Sequence, residues 1–218
     1  MKIVLAFLIA LCAPAFGEDA PTTMTKLMVK LERADIPKDS FADEPKRMYR
    51  AGSRYCRTEE NPDLENGIHG LLILNEPDYW MINRLTKSGR HYVDEGPTCN
   101  CRMPIFSGAV EIKTAQDMKN PFLEIEFGHE LEYFRPRSNA PVPGPVLLGK
   151  ETKNYVVEVG DSKVVLFTDG DPEAPVAIAR STDKGRQEIY WYGEFELVPF
   201  DAKLFAPPEG IKIEEAKP

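Results

Sequence analysis

Histidines, cysteines and clustered carboxylates come first, because these groups bind metals, attack carbonyls and move protons. His129-Glu130 opens like the helix of a zinc hydrolase, but the second histidine one turn later is missing: position 133 is tyrosine. Gly144 to Lys150, GPVLLGK, has the Gly-x4-Gly-Lys spacing of a phosphate-binding loop. Glu151 then stands where a Ser or Thr would meet magnesium, and its carboxylate repels phosphate. Cys56, Cys99 and Cys101 with His91 offer four zinc-ligand types at a spacing that matches no zinc pattern. Asp169 and Asp171 begin like a calcium loop but lack the remaining ligands, and a tight turn capped by Asx side chains explains them better. There is no Gly-x-Ser-x-Gly elbow and no Cys-x-x-Cys pair. These absences point to a protein that is not an enzyme, with no catalytic residue, metal or cofactor expected. A hydrolase built on buried carboxylates is the catalytic alternative, and a close Asp or Glu pair with raised pKa would mark it.

Aromatic residues carry more information. Trp80, Tyr92, Phe127, Phe134, Phe167, Trp191 and Phe195 fall on separate strand-like runs. Either they pack a filled core, or one sheet face lines an apolar cavity.

The elements that position these residues read as β throughout. Tyr49 to Asp94 gives several short antiparallel strands in succession. Before it, Leu27, Val29 and Leu31 alternate with Met28, Lys30 and Glu32, the period of a half-buried strand. Trp80 and Ile82 share a face of one strand. Phe122 to Phe134 alternates strongly and reads as a further strand, and Arg135 to Gly144 reads as a proline-rich loop. Tyr155–Val159 and Lys163–Thr168 make the clearest hairpin, around Gly160-Asp161-Ser162. Glu188 to Val198 places Ile189, Trp191, Phe195 and Leu197 on one face. Residues 201–205 read as a turn or short helix before a last strand at Ile211–Ile213. The fold expected is mostly β: a curved antiparallel sheet or incomplete β-barrel with few short helices.

Residues 1–17 read as a secretory signal. Lys2 is the positive start, Ile3 to Cys12 the apolar run, and Ala15 and Gly17 the small residues before a cut at Glu18. Leu11 is too bulky for a lipoprotein cleavage site at Cys12. Residues 18–218 then form a single β-rich domain, with no later run long enough to span a membrane. The net charge of −8 disfavours nucleic acid as a partner. In an oxidising compartment Cys56 is expected to bond Cys99 or Cys101, leaving one thiol free. Closing a loop of that length stabilises by about 4 kcal/mol in the chain-entropy model.

The strand order resembles the LolA/LolB-like (outer-membrane lipoprotein-sorting-like) periplasmic superfamily. Asn75-Glu-Pro-Asp-Tyr-Trp80-Met-Ile is similar to its turn leading into an aromatic strand. Tyr155-Val-Val-Glu-Val, Val164-Val-Leu-Phe and Pro175-Val-Ala-Ile are similar to its repeated strands. Phe200 to Gly210 is similar to its ending. The resemblance implies a curved sheet whose hollow side binds acyl chains. The long N-terminal helix and lid helices of true carriers are not evident here.

The function expected is that of an exported periplasmic or secreted protein that holds a lipid or other hydrophobic ligand. Trp80, Ile82, Phe127, Val157, Val165, Phe167, Ile178 and Trp191 are the expected ligand-facing residues. The alternative is a non-catalytic envelope module with a filled core and an envelope protein as partner. N-terminal sequencing of the exported protein should begin at Glu18. A mature chain that retains Met1, or one lipid-modified at Cys12, would contradict the signal reading.

Overall fold

The computed structural model describes residues 21–93, 103–106, 120–183 and 185–216. The signal segment and both Cys99 and Cys101 lie outside the described residues. One twelve-stranded sheet that does not close organises the rest, as the sequence pattern predicts.

The strands fall into two meanders. β1 (Thr23–Arg33), β2 (Lys46–Ala51), β3 (Tyr55–Glu59), β4 (Gly70–Asn75), β5 (Asp78–Asn83) and β6 (Ser88–Val93) pair in sequence order. β7 (Val142–Leu147), β8 (Lys150–Val159), β9 (Ser162–Asp169), β10 (Ala174–Thr182) and β11 (Gln187–Pro199) do the same. β1 and β11 then join the two meanders along their full lengths, from Thr23 opposite Pro199 to Arg33 opposite Glu188. β12 (Lys212–Glu215) closes the β6 edge and is the parallel member. Its pairing and the 3₁₀ turn at Ala202–Phe205 follow the expected ending.

Strand alternation sorts side chains onto two faces. We call inner the face that carries Leu27, Val29, Met48, Tyr155, Val157, Val164, Leu166, Ile178 and Tyr192, all of them buried. On the outer face of β2–β5 a second cluster forms around Ala51, Leu71, Ile73 and Ile82. The chain after β11 covers that second cluster. Phe205 is fully buried there, with Tyr55 edge-on to its ring at 5.3 Å and Phe200 stacked on it at 5.5 Å. Arg57 Nη1 donates to the Leu204 carbonyl at 2.7 Å.

Three readings of the sequence are corrected. Phe122 to Phe134 is no strand: it holds a 3₁₀ turn at Pro121–Glu124 and one α-helical turn, α1 (Glu130–Phe134). Asn120 accepts from the Phe122 amide at 3.0 Å and Pro121 follows it, so helical start chemistry outweighs the alternation. The proline-rich stretch yields the edge strand β7 from Val142 onwards. On β11, Ile189 and Trp191 do not share a face with Phe195 and Leu197. A bulge at Gly193, opposite Met28 and Val29, adds one residue and reverses the faces beyond it. A Cβ at Gly193 would come within 2.8 Å of the Met28 methyl carbon, and the flexible Met28 side chain would have to yield.

Phe205→Ala should lower stability by about 3–5 kcal/mol in denaturant titration, because the fully buried ring leaves a cavity. A loss under about 1 kcal/mol would show that the outer cluster does not depend on the C-terminal segment.

Candidate functional site

The inner face is covered by residues 103–106 and 120–137 acting together. Ile105, Phe106, Ile125 and Phe134 are all but fully buried against it, with Phe122, Phe127 and Tyr133 beside them. The two pieces bond to each other: Ile105 N donates to Ile125 O at 2.8 Å and Phe127 N to Met103 O at 3.0 Å. Among the described residues, no backbone hydrogen bond runs from this cover to a strand of the sheet.

Side chains do the fastening instead. Arg50 on β2 is buried, and its Nη1 donates to the Phe127 carbonyl at 2.9 Å. Its Nη2 meets the Glu126 carboxylate at 2.7 Å, a charge-assisted pair in a nearly dry setting. At the far rim Arg135 reaches Glu173 at 3.0 Å, and Glu173 also accepts from Tyr155 at 2.8 Å and Thr168 at 2.6 Å. The Arg180 guanidinium lies 5.1 Å over the Phe122 ring.

Glu130, at the start of α1, is the most unusual of these groups. It is 1% exposed. Its Oε1 accepts from Tyr192 OH on β11 at 2.6 Å and from Gly128 N at 2.9 Å. Gly128 takes a φ of +82°, which aims its amide back at Glu130. Oε2 has no hydrogen-bond partner among the described residues. Burial raises the carboxyl to about 7, held from rising further by Tyr192, by the Gly128 amide and by the Arg50 charge. The Tyr192 hydroxyl is raised well above its ordinary value by the same burial and by Glu130. Among the described residues, no second carboxylate bonds Glu130.

A charged depression of about 1610 Å³ opens at the strand ends beside the cover. Lys30, Arg33, Asp161, Arg180 and Glu188 line it, and Phe122 of the cover forms part of its wall. Arg180 and Glu188, both nearly buried, pair there at 3.3 Å.

The residues expected to face a ligand divide between two surfaces. Val157 and Ile178 lie on the inner face, and Phe127 lies in the cover, edge-on to Tyr190 at 5.3 Å. Trp80 and Ile82 do share a face, but it is the outer one, where Trp80 stacks on His91 at 5.0 Å. Val165 and Phe167 point outward because β9 buries Val164, Leu166 and Thr168 on the other side. Trp191 is also on the outer face, donating to Glu32 at 2.7 Å. Sequence reasoning missed Arg50, Glu130 and Tyr192. Cys56 is buried on β3, and no disulfide forms among the described residues.

No family model and no curated protein matches the chain. Among solved structures it is similar to an uncharacterized conserved protein from Thermus thermophilus, with a TM-score of 0.50 and 14% identity over 89% of this chain and 91% of that one. That likeness is one of fold. It is also similar, at a TM-score of 0.33 and 9% identity, to a LolA superfamily protein from Nitrosomonas europaea, over 86% of this chain and 90% of that one. A DUF1329 family protein from Desulfovibrio piger matches at a TM-score of 0.33 and 8% identity, over 86% and 91%. The superfamily named from the strand order thus stands among the structural neighbours.

The Glu130 environment sets a pH dependence. An unfolded chain ionises this carboxyl near 4.5, the folded chain near 7. Between these values the unfolded state has released a proton that the folded state retains, so stability falls as pH rises from about 4.5 to 7. The loss from this group amounts to about 3 kcal/mol. Glu130→Gln should remove that slope, seen as closer denaturation midpoints at pH 5 and pH 8 than in the wild type. An unchanged slope would mean that Glu130 is not the titrating group.

Proposed function

We propose that this protein is a non-catalytic binding protein of the bacterial envelope, holding an acyl chain or another hydrophobic ligand on the inner face of its sheet. The ligand takes the place of the cover. The observation that carries this reading is the way the cover is fastened. Its apolar side chains fill the inner face, yet among the described residues no backbone hydrogen bond joins it to a strand. Among the described residues, lifting it breaks side-chain clasps and no ladder bond, and the exposed face of Leu27, Val157, Leu166 and Ile178 then offers an apolar trough. Each methylene buried there gains roughly 0.8 kcal/mol, so an alkyl chain can offset the contacts that the cover gives up. The adjoining depression, with Arg180 and Glu188 at its edge, would keep a polar end of the ligand in water. Val157, Ile178 and Phe127 keep their expected role in this reading, and the signal at residues 1–17 supports the compartment.

A second reading rests on the same packing. A face already filled by its own chain suits an envelope module that binds a protein partner and no small ligand.

A fluorescent fatty acid separates the two. The wild type should take it up, and natively purified protein should release lipid on organic extraction. Arg50→Ala removes the clasp on Phe127 O and Glu126. Hydrogen bonds to a charged group are worth about 1.5–3 kcal/mol, so uptake should quicken by roughly tenfold or more. If the wild type neither binds the probe nor carries lipid, and Arg50→Ala changes neither, the filled module is the better account.

A further inference from the structure

Two strong hydrogen-bond donors stand among the apolar side chains of the inner face. Arg50 on β2 lies opposite Thr25, two residues along from the Met48–Leu27 pair, so it shares their face. Tyr192 on β11 lies opposite Val29. β2 and β11 flank β1, so the two donors bracket Leu27 from either side. Both are buried beneath the cover. The cover crosses this spot closely: a Cβ on Gly128 would stand 3.3 Å from Arg50 Cδ and 3.7 Å from Leu27 Cδ2. On either side of Gly128 it sets down a carboxylate. Glu126 meets Arg50 Nη2 at 2.7 Å, and Glu130 Oε1 accepts from Tyr192 OH at 2.6 Å. The Phe127 carbonyl accepts from Arg50 Nη1 at 2.9 Å.

The donors belong to the sheet, which stays, and the acceptors to the cover, which lifts. Arg50 keeps the Gly52 carbonyl at 3.1 Å from its Nε, but it gives up the Glu126 carboxylate that balances its charge. A guanidinium on an apolar surface is costly once its counter-charge is gone, and a neutral chain laid over it does not offset that cost. A ligand that brings its own carboxylate restores the ion pair and accepts from Tyr192 as well. We propose that the ligand is a hydrophobic carboxylic acid, with its carboxylate held by Arg50 and Tyr192 in the places that Glu126 and Glu130 vacate. The cover is then a copy of that ligand, acid groups beside apolar side chains, and competes with it for one seat. Such a seat exists only if the inner face takes a ligand, so it rests on the function proposed above. The charged depression lies toward the other end of β1, beside Arg33, where a polar group at the far end of the acid stays in water.

The test is equilibrium binding of a fluorescent fatty acid and of its methyl ester to the purified full chain at pH 8, where the acid is ionised. The wild type should hold the acid about tenfold or more tighter than the ester, the value of a hydrogen-bonded charge pair. In Arg50→Ala that ratio should fall to about one, and in Tyr192→Phe it should fall part of the way. Arg50→Lys keeps the charge without the fork and should recover some of the preference. The ratio is read within each variant, so neither a change in overall affinity nor the faster uptake of Arg50→Ala moves it. Equal binding of acid and ester by the wild type overturns the acid seat and leaves the ligand reading standing. Binding of neither overturns both. A preference for the acid that survives Arg50→Ala and Tyr192→Phe also overturns the seat, and its loss in Arg180→Ala would place the acid at the depression instead.

Discussion

β1 lies between β2 and β11, and its two edges hold the two meanders in one sheet. Each meander is built from neighbours in sequence and closes cheaply. The β1–β11 pairing does not: it brings together segments from opposite ends of the chain, from Thr23 with Pro199 to Arg33 with Glu188. Ordering so long an intervening chain is entropically costly and makes such pairings slow to form. The bulge at Gly193 sits in this seam, and its position decides which aromatics look inward. Tyr190 and Tyr192 before it and Phe195 after it all reach the inner cluster, while Trp191 is turned out toward Glu32. Without the extra residue, the strand on one side of the bulge would present its opposite face.

A sheet with almost no helices has no second layer to shield it. This chain supplies two coverings of its own, on opposite faces of different halves. The inner covering brings polar groups with it, and their burial is only partly compensated. Arg50 finds the Phe127 carbonyl and the Glu126 carboxylate. Glu130 finds Tyr192 and Gly128 for one oxygen and none of the described residues for the other. A carboxyl in that position is comfortable when neutral and costly when charged. The part of the inner covering's stability that rests on Glu130 is therefore lost as that group ionises, while the Glu173 clasp is lost in acid.

Most of the sheet was legible because strand alternation and turn residues are local signals. The hairpin at Gly160-Asp161 and the short strands from Tyr49 to Asp94 follow from them directly. The Asn120-Pro121 start of the 3₁₀ turn was also in the residues, but the run of Leu123, Ile125 and Phe127 imitates a strand, and alternation took precedence in the reading. What could not be read was which face each strand presents. Val165 and Phe167 differ from Val164 and Leu166 only by parity, and both pairs are apolar. The clasps were out of reach for a different reason. Arg50 meets Phe127 across 77 residues and Tyr192 meets Glu130 across 62, and no local pattern announces such partners.

The two coverings differ in one respect that bears on function. The C-terminal segment is tied by backbone bonds: Phe200 N to Thr22 O, Lys212 N to Lys87 O, Ala216 N to His91 O, and the β12 ladder between. His91 adds side-chain contacts of 2.7 Å to both Asp78 and Glu215, which an imidazolium makes with two donated protons. Removing this segment would expose sheet-edge groups as well as apolar surface, a double cost. The inner cover differs: among the described residues no backbone hydrogen bond ties it to a strand, Arg50 alone reaches its backbone at Phe127 O, and the strands beneath it are already paired with one another. Its departure exposes apolar side chains and two or three charged groups, which water or a ligand can meet. Among the described residues, the outer face about Trp80 and Ile82 is closed by a backbone-bonded segment, and the inner face by side-chain packing and clasps.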